Sequence, residues 1–259
     1  MLSSVLVLAG LLFQSSPGTV ARESASSGLK PSDQPASATL STKKLPPEEM
    51  ADIFMARKRF REALEQYKLC DQRSAVIANK TGIAYHQLLD LRNAMLEYKR
   101  AAKLDPHYSE AFNNLGTIYY SQHSYRRAIH YYKSAIRLSP NSATVYSNLG
   151  SAYFSTRRYK DAVEMYQKAL AIDPNVFFNN SLNGVLLQEQ NVQDKARFHY
   201  YMAKIYAQKG MTDQALQFIR KSLEEGFKDR QKFIDEPEFA ALQSNPEFQE
   251  LMKKEQRAL

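Results

Sequence analysis

The stretch FNNLGTIY at residues 112–119 returns as YSNLGSAY at residues 146–153, 34 positions further along the chain. A fixed offset of this length is the signature of a repeat architecture, in which each unit is one supersecondary element. Apolar residues in both stretches recur three and four positions apart, which is typical of one face of a helix. The identical pairs are Leu115 and Leu149, Gly116 and Gly150, and Tyr119 and Tyr153. The chain is therefore expected to contain stacked helical repeats.

The repeat extends into a second helical segment and into a third copy upstream. YRRAIHYYKSAIRLSP at residues 125–140 aligns with YKDAVEMYQKALAIDP at residues 159–174 at the same offset of 34. Each copy closes on a proline, and the residue before a proline disfavours helix, so the chain must turn there. The upstream copy has Gly82, Tyr85, Ala94, Tyr98, Ala101 and Pro106 at the matching positions. Each unit is thus predicted to be a helix hairpin.

This pattern resembles the tetratricopeptide repeat family over about residues 46–227, most strongly over residues 75–174. Its small residues, such as Gly116 and Gly150, permit close approach of the two helices of a hairpin, and a tyrosine then fills the remaining space. The resemblance implies an all-α fold: a right-handed superhelical solenoid of about five helix-turn-helix hairpins, closed by a C-terminal helical cap.

Two degenerate copies flank the three clear ones. The first copy covers residues 50–70 and lies only 31 residues ahead of the next, and the last copy covers residues 202–222. Residues 175–195 form an insertion after Pro174, for which we predict a loop or a short helix packed on the stack.

The C-terminal residues 228–259 contain EPEF at 236–239 and NPEF at 245–248. Each motif predicts a helix start with proline in the first turn and with Phe239 or Phe248 on the inner face. An open solenoid needs a polar-backed cap over its last repeat, and these residues are expected to supply it.

The N-terminal residues are expected to carry an export signal. Residues 1–21 hold no charged side chain, and the apolar run Leu2–Phe13 resembles the core of a secretory signal peptide. This run is short for a bilayer whose apolar core is about 30 Å thick. We therefore expect export to the periplasm or to the outside, with anchoring by an uncleaved N-terminal segment as the alternative. Residues 22–45 are rich in Ser, Ala and Pro and are predicted to be a disordered linker.

Composition and motifs argue against catalysis. The chain has one cysteine, Cys70, expected to be a small buried residue on a helix, and its five histidines show no metal-ligand spacing. Glycine-rich phosphate loops and common hydrolase signatures are absent from the sequence. The net charge of +8 is spread among acidic residues, which favours a solvated face over a nucleic-acid site. The sequence predicts a protein that is not an enzyme, needs no cofactor or metal and binds no nucleic acid.

Function is therefore expected to reside in surface shape. In the family that the repeats resemble, the first helices of the hairpins line a concave groove that receives an extended peptide or a helix of another protein. The side chains that the resemblance places in this groove are Asn79, Ile83, His86, Asn113, Asn114, Thr117, Tyr120, Ser147, Asn148, Ser151, Phe154, Tyr200 and Tyr201. Asn114 and Asn148 are expected to form an amide ladder that pairs with a ligand's backbone. The alternative is that these residues only solvate and pack a helix face.

The predicted groove differs from that of family members that clamp the terminal carboxylate of a chaperone. Such a clamp uses two lysines, two asparagines and an arginine, of which only Asn114 is matched here. Asn79, Thr144 and Asn148 stand where basic residues are expected. Neutral or mixed ligands are therefore favoured.

The leading hypothesis is a non-catalytic scaffold or adaptor that binds a peptide or helix of a partner protein. One alternative is a membrane-associated assembly factor of an envelope complex, held by an uncleaved N-terminal segment, although membrane contact is not favoured. The other is a non-catalytic subunit of an enzyme complex.

Overall fold

The structure, a computed structural model, describes residues 45–177 and 192–253. All of these residues belong to one compact unit, Lys44–Leu259. The predicted signal peptide 1–21, almost all of the predicted linker 22–45 and most of the predicted insertion 175–195 lie outside the described residues, and they stay predictions.

The described residues are helical and contain no β-strand. None of their helices is both long enough and apolar enough to cross a membrane. The helices are α1 (Pro47–Ala56), α2 (Phe60–Tyr67), α3 (Ala75–Gln87), α4 (Leu91–Leu104), α5 (Ser109–Ser121), α6 (Tyr125–Leu138), α7 (Ala143–Ser155), α8 (Tyr159–Ile172), α9 (Val192–Gln208), α10 (Thr212–Glu224), α11 (Gln231–Asp235), a 3-10 helix (Pro237–Leu242) and α12 (Pro246–Lys253).

The first ten helices pack as five consecutive hairpins, α1 with α2 through α9 with α10. Successive hairpins stack because the second helix of one packs on the first helix of the next, as α4 does on α5 and α6 on α7. The largest apolar cluster runs from Tyr119 on α5 to Leu251 on α12. The fold is the right-handed superhelical solenoid with a C-terminal helical cap, and the predicted fold class is confirmed.

In each of the three central hairpins, a tyrosine of the second helix lies directly on a glycine of the first. The pairs are Gly82 with Tyr98, Gly116 with Tyr132, and Gly150 with Tyr166. A methyl group added at Gly116 would stand 2.5 Å from the nearest ring carbon of Tyr132, which is closer than real side chains approach. All three tyrosine rings are at most 1% exposed. The close helix approach expected at these positions is therefore present.

The turns between hairpins follow from the prolines. Asp105 and Asp173 end α4 and α8 in extended conformations with φ of −135° each, and each of them precedes a proline. The ring of a following proline disfavours the helical conformation, so the chain leaves both helices at the aspartate.

The first hairpin is shorter than the others. Helix α2 has 8 residues, whereas α4, α6 and α8 have 14 each. The expectation that Cys70 lies on a helix is wrong, because α2 ends at Tyr67 and Cys70 follows it, half-buried, with its thiol 3.5 Å from the carbonyl oxygen of Gln66. Helix α2 is thus six residues shorter than α4, and the segment after it, residues 68–74, is three residues longer than its counterpart at 105–108.

The turn inside each hairpin contains one residue in the left-handed region. These residues are Lys58 (φ 58°), Leu89 (φ 61°), His123 (φ 56°), Arg157 (φ 60°) and Gly210 (φ 71°). Glycine adopts this conformation without strain, whereas for a residue with a Cβ atom it is unfavourable by about 1–2 kcal/mol. Only the fifth hairpin, among those described, has the unstrained residue at this turn.

Replacing Gly210 by alanine is expected to lower the free energy of unfolding by about 1 kcal/mol, because the new Cβ is strained at positive φ. No heavy atom lies within 4 Å of that Cβ, so a clash does not contribute. Leu89→Gly is the matched control. It is expected to raise the free energy of unfolding, because it relieves the strain at positive φ and Leu89, which is 82% exposed, loses little burial. Urea unfolding measures both variants, and destabilisation by both would contradict the explanation from turn strain.

The cap covers the end of the fifth hairpin. Phe233 on α11 and Phe239 in the 3-10 helix are 0% exposed, and Phe248 on α12 is 1% exposed. The predicted inward position of Phe239 and Phe248 is therefore confirmed. Asn245 accepts hydrogen bonds from the backbone N–H groups of Glu247 and Phe248, which fixes the start of α12.

Candidate functional site

Polar side chains join the first helices of neighbouring hairpins at a constant offset of 35 residues. Nδ2 of Asn114 on α5 donates to Oδ1 of Asn79 on α3 at 2.9 Å. Asn148 on α7 makes the same bond to Asn113 on α5, also at 2.9 Å. Asn113 and Asn114 are themselves joined at 3.3 Å. We call these four residues the asparagine ladder, and it runs without a break across three hairpins.

Charged side chains occupy the corresponding place between the first and second hairpins. The ammonium of Lys80 on α3 lies 2.8 Å from a Glu48 oxygen and 2.6 Å from an Asp52 oxygen, both on α1. Burial lowers the pKa of Lys80, but its hydrogen bonds to Asp52 and Glu48 outweigh burial, and the pKa lies above its ordinary value. Asp52 also accepts a hydrogen bond from Tyr67 at 2.7 Å. The charge of Lys80 is thus satisfied within the chain.

More than half of the side chains expected to line the groove are buried. They are Asn79, Asn113, Tyr120, Asn148, Ser151, Phe154 and Tyr200. Asn148 is 0% exposed, and its amide is bonded to the neighbouring hairpin. The expected ladder of Asn114 and Asn148 therefore needs correction, because its amides pair with other hairpins of the same chain and Asn148 has no open side for a ligand's backbone.

The open side of α3 and α5 is rotated from the expected one. We call it the inner stripe, and it consists of Val76, Lys80, Ile83, Gln87, Glu110, Asn114, Thr117 and Ser121, all partly or fully exposed. Ile83, Asn114 and Thr117 were expected, and the other five were missed. The signal that could have found them is spacing, since residues four, three and four positions apart share one helix face. The next hairpin covers the neighbouring face, where Asn79 and Asn113 lie.

The inner surface of α7 is closed by packing. The ring of Phe154 contacts those of Tyr159, Phe198 and Tyr201 at centroid distances of 5.1, 5.9 and 6.2 Å. Tyr120 is bonded through its hydroxyl to Ser155 on α7 at 2.9 Å. Phe154 and Tyr120 therefore hold hairpins together.

Three other expected residues are half-buried. Tyr201 stacks on Tyr159 with ring centroids 5.3 Å apart. Ser147 is half-buried on α7. His86 stands edge-on to Tyr98 at 6.5 Å, and burial lowers the pKa of His86 below its ordinary value. The imidazole is thus neutral at pH 7 and adds no charge to this surface.

Tyr200 belongs to the cap. Its ring stacks on Phe227 at 4.6 Å and contacts Phe233 at 5.5 Å. Burial, with a hydrogen bond to Glu236, raises the pKa of Tyr200. The expectation that Tyr200 lines the groove is wrong, because the C-terminal cap folds over it.

Groups that could coordinate a metal are not found where the structure can be described. In residues 45–177 and 192–253, no three His, Cys, Asp or Glu side chains converge. The candidate sites in these ranges are therefore exposed helix surfaces, which differ from one another in polarity.

Comparisons with known proteins give one family. Models of the tetratricopeptide repeat match residues 113–176 and residues 196–225. No curated protein matches the chain.

The solved structures that match the chain do so with TM-scores below 0.5. The crystal structure of MamA is 24% identical, covers 70% of this chain and 97% of its own, and has a TM-score of 0.47. The structure of MamA from residue 41 to its end, from Desulfovibrio magneticus RS-1, is 20% identical. The match covers 69% of this chain and 92% of the MamA chain, with a TM-score of 0.48. YrrB, described as a TPR protein with an unusual peptide-binding site, is 17% identical, covers 71% and 87%, and has a TM-score of 0.46.

The helix hairpins, the glycine and tyrosine pairs between their helices and the two matches to family models agree. Residues 113–176 and 196–225 of the chain are therefore tetratricopeptide repeats.

Proposed function

We propose that this protein-interaction scaffold is a non-catalytic adaptor that holds an extended, largely uncharged segment of another protein along the inner stripe. The observation that carries the proposal is the low charge of this surface. Its charged members are Lys80, whose charge Glu48 and Asp52 offset, and Glu110, in the first turn of α5. An uncharged peptide that leaves the exposed Glu110 in water can cover such a surface without desolvating an unpaired ion.

The chemistry of the inner stripe supports an extended ligand. Val76 is 42% exposed and offers an apolar contact. The half-exposed Asn114 keeps a second amide N–H beyond its bond to Asn79, and the hydroxyl of Thr117, which donates to the carbonyl oxygen of Asn113, can still accept. Alternating apolar and hydrogen-bonding groups suit a peptide that presents side chains and backbone together. The asparagine ladder keeps α3, α5 and α7 in fixed register, so the surface is formed before the ligand arrives, which reduces the cost of binding.

The test is selection of uncharged peptides from a displayed library on the full-length chain, followed by measurement of their affinity for variants. Val76→Arg and Thr117→Arg are each expected to weaken binding by about tenfold, because a long cation obstructs the stripe and must be desolvated. Circular dichroism checks that both variants remain helical.

The matched control is Ala171→Arg, which adds the same side chain at an exposed position of α8 outside the stripe. This variant is expected to bind the selected peptides like the parent chain. Selected peptides whose affinity is unchanged by both stripe variants would contradict the proposed surface.

A further inference from the structure

We propose that the outer face of α4 and α6 binds a membrane surface rich in acidic phospholipids. Its residues, which we call the basic stripes, are Arg92, Leu96, Lys99 and Lys103 on α4, and Arg126, His130, Lys133 and Arg137 on α6. Within each helix they are spaced by four, three and four residues and therefore share one face. All eight are exposed, and they include six basic residues and no acidic one.

In the described part of the chain, the positive charge of the basic stripes is offset only at Arg92, whose charge lowers the pKa of Asp90. The ion pairs found within residues 45–177 and 192–253 include none of these six bases. The two stripes occupy equivalent repeat positions, 34 residues apart, on helices that both pack on α5, so they belong to one side of the stack. Six cations on neighbouring helices create a positive field that attracts an anionic surface.

The other second helices carry mixed charge on this face. On α2 it holds Arg61, Glu65 and Lys68, of which Lys68 is paired with Glu65 at 2.7 Å. The corresponding face of α8 carries Lys160 and Glu164, and Glu164 is paired with Lys168 at 2.7 Å. On α10 the same face carries Asp213, Arg220 and Glu224, with Arg220 paired to Glu247 of the cap at 2.6 Å. The basic stripes are therefore a local feature of the second and third hairpins.

Exposed leucines favour a lipid surface over nucleic acid. Leu89 is 82% exposed in the turn before α4, Leu96 is 58% exposed within the stripe, and Leu104 is 41% exposed at the end of α4. Leucines beside lysines and arginines suit the boundary between headgroups and acyl chains. The exposed leucine side chains would find no apolar partner on the phosphate backbone of a nucleic acid.

The aromatic rings near the stripes are already occupied. Tyr131 on α6 stacks on Tyr119 at a centroid distance of 5.2 Å, and the guanidinium of Arg127 lies 5.6 Å from the centroid of the Tyr119 ring. Proteins that bind single-stranded nucleic acid offer free aromatic faces on which bases stack. This surface lacks such a face among its described residues, which again favours a membrane.

The test is co-sedimentation of the full chain with vesicles of phosphatidylcholine alone or mixed with phosphatidylglycerol. Each basic residue near an anionic bilayer is worth about fivefold in affinity. The triple variant Arg126→Glu, Lys133→Glu, Arg137→Glu is therefore expected to lose about 100-fold of its binding to the mixed vesicles. Raising the salt concentration is expected to weaken binding of the parent chain.

A control with the same change of charge separates position from net charge. Lys209→Glu, Lys228→Glu, Lys253→Glu reverses three exposed bases of the fifth hairpin and the cap, away from the stripes, and is expected to keep most of the binding. Attachment through residues 1–21 would appear equally on both kinds of vesicle and would be the same in both variants.

A second variant tests the leucines. Leu89→Ser with Leu96→Ser is expected to reduce binding to the mixed vesicles several-fold and to leave the helices intact. Equal losses in the stripe and control variants, or no loss in the stripe variant, would overturn the proposal. Tighter, stripe-dependent binding to a mixed-sequence single-stranded RNA than to the mixed vesicles would overturn it as well.

Discussion

Replacing Tyr132 by alanine is expected to lower the free energy of unfolding by about 3–5 kcal/mol, the range for truncating a large buried aromatic side chain. The ring is 0% exposed and lies against Gly116, which has no side chain to fill the space that the ring leaves. The hydroxyl also loses its contact of 3.4 Å with Thr117. Because domains of this kind are only marginally stable, a loss of this size should be visible as unfolding at much lower urea concentration.

A double-mutant cycle tests the pairing of ring and glycine. Gly116→Ala alone is expected to lower the free energy of unfolding, because its methyl group would stand 2.5 Å from the Tyr132 ring. In the Tyr132→Ala chain the same methyl group enters vacated space and should cost far less. Additive effects in the cycle would show that the two positions are not coupled. Tyr125→Ala, at a half-buried position of the same helix, is the control and should cost less than Tyr132→Ala.

Replacing Phe239 by alanine is expected to destabilise the C-terminal hairpin by about 3–5 kcal/mol. Phe239 is 0% exposed and lies between Phe233, at a centroid distance of 5.1 Å, and Tyr200, at 6.3 Å. Loss of this ring would leave a cavity between the cap and α9. In a stack whose units contact only their neighbours, the damage should remain close to the site.

Amide hydrogen exchange can locate this loss. Protection is expected to fall in α9 and α10 and to stay nearly unchanged in α3 to α6, since local openings follow local contacts. Ile234→Ala removes a side chain that is 46% exposed in the same cap, and it should leave protection close to that of the parent chain. Equal loss of protection in all five hairpins would contradict a local role for the cap.

The hairpins could be predicted from the sequence because their geometry is set by short-range repetition. The period of 34, the glycines and the prolines determine helix lengths and turn positions, and these agree with α3 to α8. The inward turn of Phe239 and Phe248 was equally accessible, since proline marks the helix start and the phenylalanine follows in the first turn.

The open face of the first helices was harder to predict, because it depends on contacts between hairpins. Nothing local distinguishes Asn113, which the next hairpin buries, from Asn114, which stays half-exposed. The two residues are adjacent and chemically identical. The offset of 35 that joins Asn79 to Asn114 becomes meaningful only when the stacking is known. Tyr200 was misplaced for a related reason, since its covering residues lie beyond the repeats.

The asparagine ladder has a consequence for how such arrays grow. The segment 109–142 carries at its start both an amide that reaches backward, Asn114, and an amide that receives the following hairpin, Asn113. Its two edges are therefore complementary to each other, and duplicating it in tandem would create a junction that already exists in the molecule. The hairpin at the amino-terminal end lacks this property, because Glu48 and Asp52 match only the lysine that follows them. Lengthening by gene duplication therefore needs the fewest new contacts between hairpins in the middle of the chain.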